Sequence, residues 1–378
     1  MRRDTELLHF AENPAEWQGA VNPPIYRTSL FRYKSYQQYI NAGSGQEQHY
    51  SYTRAANPTT HVLEQKIAYL EHAEGCVALA SGMAAITSTL MAMLRTGDHM
   101  LLVSCAYRPV LGFCLNTLTR NGVEVDLFQP EESSDLAPRL KPNTKLIYLE
   151  SPGSMTFAIL DLRAVSRLAQ QRGIITVIDN SWATPLLQNP LDLGIDLVIH
   201  TGSKYIGGHS DLVFGLAAGS NKLMGSVRVQ AVELGGSISP EDSYLAIRGL
   251  RTLPVRLAQH QRSTLRIAQW LEQQPMAIEV LYPGLESFPG HTLACSQMTG
   301  FSGLFSFRLQ PKSRAVQEQC VNTLLKVFHL GCSWGGFESL VVLAFGLDSS
   351  AYRVSIGLED VDDIIAVLDE GLKAYANA

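Results

Sequence analysis

The stretch Asp196-Leu-Val-Ile-His-Thr-Gly-Ser-Lys204-Tyr-Ile-Gly-Gly-His-Ser210 decides how this chain folds. Its aliphatic run, Leu197 to Ile199, has the composition of a buried strand, and it leads into a lysine flanked by hydroxyls and followed by glycines. A strand end is a rigid mount for a side chain. Thr201 and Ser203 set two hydroxyls beside the amine, where they can hold a phosphate. That combination suits a lysine forming a Schiff base with a phosphorylated aldehyde cofactor.

Working outward, the runs 100–103, 123–128, 145–149 and 174–178 repeat the short aliphatic or β-branched pattern. Amphipathic stretches such as 161–171, closed by Gly173, lie between them. Strands alternating with helices predict βαβ units and a mainly parallel sheet in an α/β fold. Such sheets bind ligands at the carboxyl ends of their strands. Three successive runs end in polar groups there, Glu150-Ser-Pro, Asp179-Asn-Ser and Thr201-Gly-Ser-Lys204, so these ends should meet in one crevice.

Residues 75–94 run 20 positions without a charge, the length of a membrane span. Ser81-Gly-Met83 interrupts them, so a buried strand over 76–80 turning into a buried helix over 84–94 is the better reading. A helix over 253–274 should lead into a second, smaller α+β unit with strands at 303–307 and 353–356 and a closing helix over 360–375. Arg353 would then start its strand. The predicted organisation is an extended arm over 1–56, a cofactor-binding domain over 57–252 and a C-terminal domain over 253–378.

With 30 Lys and Arg against 35 Asp and Glu, the net charge of −5 offers no basic excess for a phosphate backbone, so no nucleic-acid partner is expected. No membrane association is expected either. The six cysteines show no CxxC pairing, which leaves no metal site to propose and suits reduced thiols. The N-terminal MRRDTELLHFAENPAEW lacks a continuous apolar stretch, and the expected location is the cytoplasm.

Asp179 closes the run 174–178 and lies 25 residues before Lys204, room for one helix and one return strand. A carboxylate there either caps a helix or pairs with a protonated pyridine nitrogen, and the downstream lysine favours the second role. Ser81-Gly82-Met83 is either a plain tight turn or a helix start that offers free N–H groups to an anion. Tyr107, after the run 100–103, either stacks on a cofactor ring or belongs to the core.

Together these residues resemble a known family, the pyridoxal-phosphate enzymes of cysteine and methionine metabolism, the transsulfuration group of fold type I. The motifs Tyr52-Thr-Arg54-Ala-Ala-Asn-Pro-Thr, Ser81-Gly-Met83, Glu150-Ser-Pro, Asp179-Asn-Ser-Trp-Ala-Thr-Pro185, Ser203-Lys204-Tyr-Ile-Gly-Gly-His-Ser210, Gly249-Leu-Arg-Thr-Leu and Arg353-Val-Ser-Ile-Gly-Leu-Glu359 occur in the family's order. The resemblance implies pyridoxal 5'-phosphate as cofactor, bonded to Lys204, with Asp179 on the pyridine nitrogen and Tyr107 on the ring. Gly82, Met83, Thr201 and Ser203 would hold the phosphate. It also implies that Tyr52 and Arg54 reach into a neighbouring subunit's site, that Tyr52 and Tyr107 take part in catalysis beside Lys204, and that the chain forms a homotetramer.

Arg353 resembles the arginine that grips the substrate carboxylate, while Ser333, Trp334 and Ser154 would line the substrate pocket. Within the family, Cys332-Ser-Trp334-Gly-Gly-Phe-Glu-Ser-Leu340 and Glu150-Ser-Pro-Gly-Ser154 look like the bacterial cystathionine β-lyase branch. The implied activity is therefore β-elimination from a thioether amino acid, cystathionine, releasing homocysteine, pyruvate and ammonia. The alternatives are methionine γ-lyase, cystathionine γ-synthase or γ-lyase, cysteine desulfhydrase, amino-acid racemase, and a retired homologue that only binds or regulates. The stretch 341–352 is shorter than relatives generally carry, which alters one wall of the expected pocket.

Overall fold

The computed structural model describes residues 2–44, 46, 47, 49–343 and 351–378. Seven strands form the larger sheet: β1 (Gly75–Leu79), β2 (His99–Val103), β3 (Glu124–Phe128), β4 (Thr144–Glu150), β5 (Ile175–Asp179), β6 (Leu197–Thr201) and β7 (Gly215–Gly219). Their order is β1-β7-β6-β5-β4-β2-β3, and β7 alone runs against the others. The apolar character of these runs follows from burial on both faces. Every residue of β2 and β7 is buried, as expected for a parallel-type sheet covered by helices.

The uncharged stretch resolves into β1 and the helix Gly82–Met93, with Ser81 as N-cap accepting from the Ala84 amide at 3.0 Å. The helix Leu162–Arg172 lies between an Asp161 cap and a left-handed Gly173, as its pattern predicts. The crossover between β5 and β6 is slighter than its 25-residue span suggests. It holds one four-residue helix, Thr184–Leu187, and a 3-10 turn at Pro190–Leu193, each with a proline in its first turn, where the missing N–H costs nothing.

A five-stranded sheet forms the second layer system: β8 (Ala277–Leu281), β9 (Leu304–Leu309), β10 (His329–Leu330), β11 (Leu340–Leu343) and β12 (Ala351–Ser355), in the order β10-β11-β12-β9-β8. The helix Val361–Asn377 closes the chain. Arg353 lies in the middle of β12, between Ser306 of β9 and Val342 of β11, rather than at a strand start. Of the stretch 341–352, residues 344–350 lie outside the described residues.

The linking helix begins at Pro240, 13 residues before the sequence pattern suggests, and runs to Glu272. Gly249 looks like a breaker but serves close packing. A Cβ there would stand 2.5 Å from the carbonyl oxygens of Ile206 and Gly207, so the helix lies directly on the loop that follows Lys204. Arg256 of the same helix donates to the Tyr205 carbonyl at 2.7 Å. The motif Gly249-Leu-Arg-Thr-Leu is thereby a floor for the lysine loop.

The first 56 residues carry two short helices, Arg3–His9 and Tyr36–Gly43. Arg3 donates to the carbonyls of Leu70 and Pro185, and buried Lys66 donates to the Leu7 carbonyl at 3.0 Å. Among the described residues no helix is long and apolar enough to cross a membrane.

Candidate active site

The carboxyl ends of β4, β5 and β6 do converge. Glu150 pairs in register with Asp179, and Asp179 with Ile199, so Thr201 and the lysine loop stand just beyond them. A cavity of about 510 Å³ opens there. It brings together Lys204, Asp179, Gly82, Met83, Thr201, Ser203, Tyr107, Ser154, Ser333, Trp334 and Arg353.

Lys204 Nζ donates to Ser333 Oγ at 2.9 Å and lies 5.3 Å from the centre of the Trp334 ring. Burial, helped by the Arg353 charge, lowers its amine to about 8, against the opposing pull of Asp179. An amine so lowered is partly neutral near physiological pH and therefore nucleophilic. Trp334 packs in turn on Tyr205, at 5.4 Å between ring centres.

Asp179 is buried, and desolvation raises its carboxyl above the ordinary value. The Ser181 amide and hydroxyl oppose that rise by donating to Oδ1 at 2.9 and 2.5 Å. Ser181 Oγ also accepts from the Thr201 amide at 2.6 Å, which ties β5 to β6 at the site. Glu150, beside Asp179, is pushed well above the usual carboxylate range, first by burial and then by the Asp179 charge. Two adjacent buried carboxylates resist ionising together, so a protonated Glu150 lets Asp179 hold the negative charge.

At the opposite wall, a Cβ on Gly82 would stand 2.1 Å from Thr201 Oγ1, so this cradle admits only glycine. The first amides of a helix have no partner within it. Ser81 Oγ takes that of Ala84, which leaves those of Gly82 and Met83 beside the cavity with the positive end of the helix dipole behind them. Ser203 is less free than its position suggests: its hydroxyl accepts from the Phe214 amide at 3.0 Å.

Tyr107 is 46% exposed and forms part of the cavity wall, which overturns the core alternative for this residue. Its amide donates to Glu150 Oε2 at 2.7 Å. Arg353 has no ion pair with a carboxylate among the described residues, and its nearest polar contact is Met155 Sδ at 3.9 Å. A guanidinium left unpaired in a concave site is available to an anion.

Tyr52 and Arg54 stand outside this cavity. Tyr52 is exposed and bridges to Leu30, while Arg54 donates to the Val232 carbonyl at 3.0 Å. Sequence reasoning placed Glu150 at the crevice only as a strand-end polar group, and passed over Ser181 as a site residue, although it occurs in a quoted strand-end motif. It also passed over Glu338, which accepts from Ser210 Oγ at 2.6 Å and ties the lysine loop to the second sheet's domain. The signal for Ser181 was its spacing of two from Asp179, which suits an Asx-type turn.

The donor set fits a phosphorylated pyridine aldehyde. Two helix-start amides and the Thr201 hydroxyl could hold a phosphate, the buried Asp179 carboxylate could pair with a ring nitrogen, and the Lys204 amine and the exposed Tyr107 line the same cavity. The description of Cys/Met metabolism PLP-dependent enzymes matches residues 4–373. The chain is 37% identical to an L-methionine gamma-lyase of Fusobacterium nucleatum subsp. polymorphum over 94% of each chain. It is 34% identical to a cystathionine beta-lyase of Lactococcus lactis subsp. cremoris over 98% of each. A crystal structure of cystathionine gamma synthase from Xanthomonas oryzae pv. oryzae, in complex with aminoacrylate and cysteine, superposes with a TM-score of 0.93 at 34% identity, covering 100% of this chain and 99% of that one. Geometry, sequence and superposition agree over the whole length, and the chain belongs to the Cys/Met metabolism PLP-dependent enzyme family.

Proposed function

We propose that the protein is a carbon–sulfur lyase that cleaves the Cβ–S bond of L-cystathionine, converting it with water to homocysteine, pyruvate and ammonia. The observation that carries this reading is the placement of Lys204 Nζ under the Trp334 ring, 5.3 Å from its centre, with Arg353 on the same cavity. Arg353 would fork onto the substrate's α-carboxylate and so present Cα to the lysine. Lys204 Nζ would remove the Cα proton, and its lowered basicity keeps the neutral amine available for that step. When bound, pyridoxal phosphate supplies an electron-withdrawing ring next to Cα. Asp179, held ionised by Ser181, would keep that ring's nitrogen protonated, and Gly82, Met83, Thr201 and Ser203 would hold its phosphate.

Chemistry at Cγ needs a further proton taken from Cβ, and therefore a base that travels between two carbons. The hydrogen bond to Ser333 and the Trp334 ring together restrict the Lys204 amine, which favours a single proton abstraction and loss of sulfur from Cβ. Ser154 would complete the substrate pocket. Tyr52 and Arg54 would serve the site of a second copy in a homotetramer of cytoplasmic enzyme, with an arm over 1–56, a cofactor domain over 57–252 and a C-terminal domain over 253–378.

Incubating the holoenzyme with L-cystathionine and separating the keto acids tests the reading. Pyruvate is expected, and 2-oxobutanoate as the main product would sink it. The parent should show an absorbance band near about 420 nm that Lys204→Ala lacks, as a lysine-bonded cofactor requires.

A further inference from the structure

A second chamber of about 700 Å³ adjoins the first. Tyr107, Ser154, Cys332 and Arg353 line both, whereas Lys204 and Asp179 face only the first. These four residues therefore form a neck between a reacting chamber and a space where no proposed chemistry takes place. The second chamber also has a soft, apolar portion of its lining, with Cys105, Leu111, Met155 and Cys332 among the contributors. Burial pushes the Cys105 thiol far up, so it stays a neutral wall group and not a nucleophile.

The chamber lining also carries opposite charges. Arg108 and Glu131 both line it, both are exposed, and neither has a hydrogen bond or ion pair among the described residues. Gln129, the remaining long polar group there, is occupied: its amide oxygen accepts from Ser104 Oγ at 2.8 Å. A chamber lined by apolar, sulfur-bearing side chains and by one charge of each sign that is unpaired among the described residues suits a chain that ends in a zwitterion.

We propose that the second chamber binds the distal amino-acid head of a two-headed thioether, with Arg108 taking its carboxylate and Glu131 its ammonium. The proposal rests on the lyase reading above, because Arg353 must hold the reacting head for the thioether arm to pass the neck. Methylenes and sulfur then lie along Cys332 and Met155, and the second head reaches the two charges. A one-headed thioether fills only the neck and leaves both charges in water. The chamber thus selects between substrates that the reacting residues treat alike.

The test compares kcat/KM of the holoenzyme for L-cystathionine with its values for the one-headed thioethers S-ethyl-L-cysteine and S-methyl-L-cysteine, in the parent and in Arg108→Gln and Glu131→Gln. Each substitution should lower the value for cystathionine about tenfold, chiefly through KM, and leave the one-headed substrates unchanged, as expected for loss of one charge-assisted contact at a partly wet site. Equal effects on both classes, no effect on cystathionine, or a parent that does not prefer cystathionine would each overturn the proposal. The identity of the keto acid reports separately on the reaction. Should 2-oxobutanoate appear while the variants still discriminate by head number, the β-elimination reading fails and the chamber assignment stands.

Discussion

Lys204 Nζ and Ser333 Oγ, 2.9 Å apart, link the segments that follow β6 of one sheet and precede β11 of the other, across the cavity. The lysine belongs to the loop after β6, the serine to the segment before β11. Position and basicity of the amine thus depend on both sheets at once, with Trp334 on the side of the second and Asp179 on the first.

Removing the serine hydroxyl should loosen the amine without removing it. Ser333→Ala is expected to lower kcat about tenfold, the worth of one hydrogen bond to a charged donor. The band near about 420 nm should persist, because the lysine that carries it is intact. Ser333→Thr, which restores a hydroxyl, should recover part of the loss. An unchanged kcat in Ser333→Ala would show that the bond does not position the amine during turnover.

The acid–base behaviour of Lys204 can be read in the apoenzyme, where the amine is free. Its value near 8 means that the cationic form dominates below that pH and the neutral, reactive form above it. The rate at which added cofactor is captured should therefore rise with pH and level off above about 8. Arg353 is the second cause of the lowering, after burial. Replacing it in Arg353→Gln removes a like charge, so the amine should become more basic and the capture profile should move to higher pH. Rapid-mixing absorbance over pH 6–10 measures it, and a profile that moves the other way would contradict the assigned cause.

Much of this site could be read from the chain because its parts sit at strand ends, where a buried run gives way abruptly to polar residues. Glu150, Asp179 and Lys204 are legible in that way, and so is the helix start at Ser81. The misplaced start of the helix Pro240–Glu272 has a different cause. Gly249 and Pro254 read as breakers in local terms, yet Gly249 is required by the carbonyls of Ile206 and Gly207, residues distant in sequence. Ser181 escaped notice for a similar reason. Its importance lies in accepting from Thr201 and donating to Asp179, a relationship between strands that spacing within one strand does not encode. Arg108 and Glu131 carry no local signature, since an exposed charge becomes informative only through the cavity it lines.

The anion cradle gives a prediction of another kind. In Gly82→Ala the new methyl would meet Thr201 Oγ1 at 2.1 Å and Thr201 Cβ at 2.9 Å, so the helix start or the end of β6 must shift. Overpacking of this sort costs about 1–3 kcal/mol. Cofactor affinity should fall more than the thermal stability of the apoenzyme, because the displaced amides are those proposed to face the phosphate. Titration of the apoenzyme with pyridoxal phosphate, beside apoenzyme melting curves, separates the two effects. Tight binding with a lowered Tm would place the phosphate elsewhere.

Beneath the site, Glu71 Oε1 and His200 Nε2 lie 2.5 Å apart, and both side chains are fully buried. Asn180, next to Asp179, donates to the same Glu71 oxygen at 3.3 Å. Cutting away Glu71 leaves His200 Nε2 with no partner among the described residues, in a low-dielectric interior. Glu71→Ala should therefore lower the unfolding free energy by about 3–5 kcal/mol, the usual cost of breaking a buried pair from one side. Replacing both members, in Glu71→Leu with His200→Leu, should cost less than the sum of the single changes, because no orphaned polar partner remains. Urea unfolding of the four proteins of this cycle measures the coupling directly. Additive losses would mean that the two groups stabilise the strand ends independently, and that their contact carries no coupling.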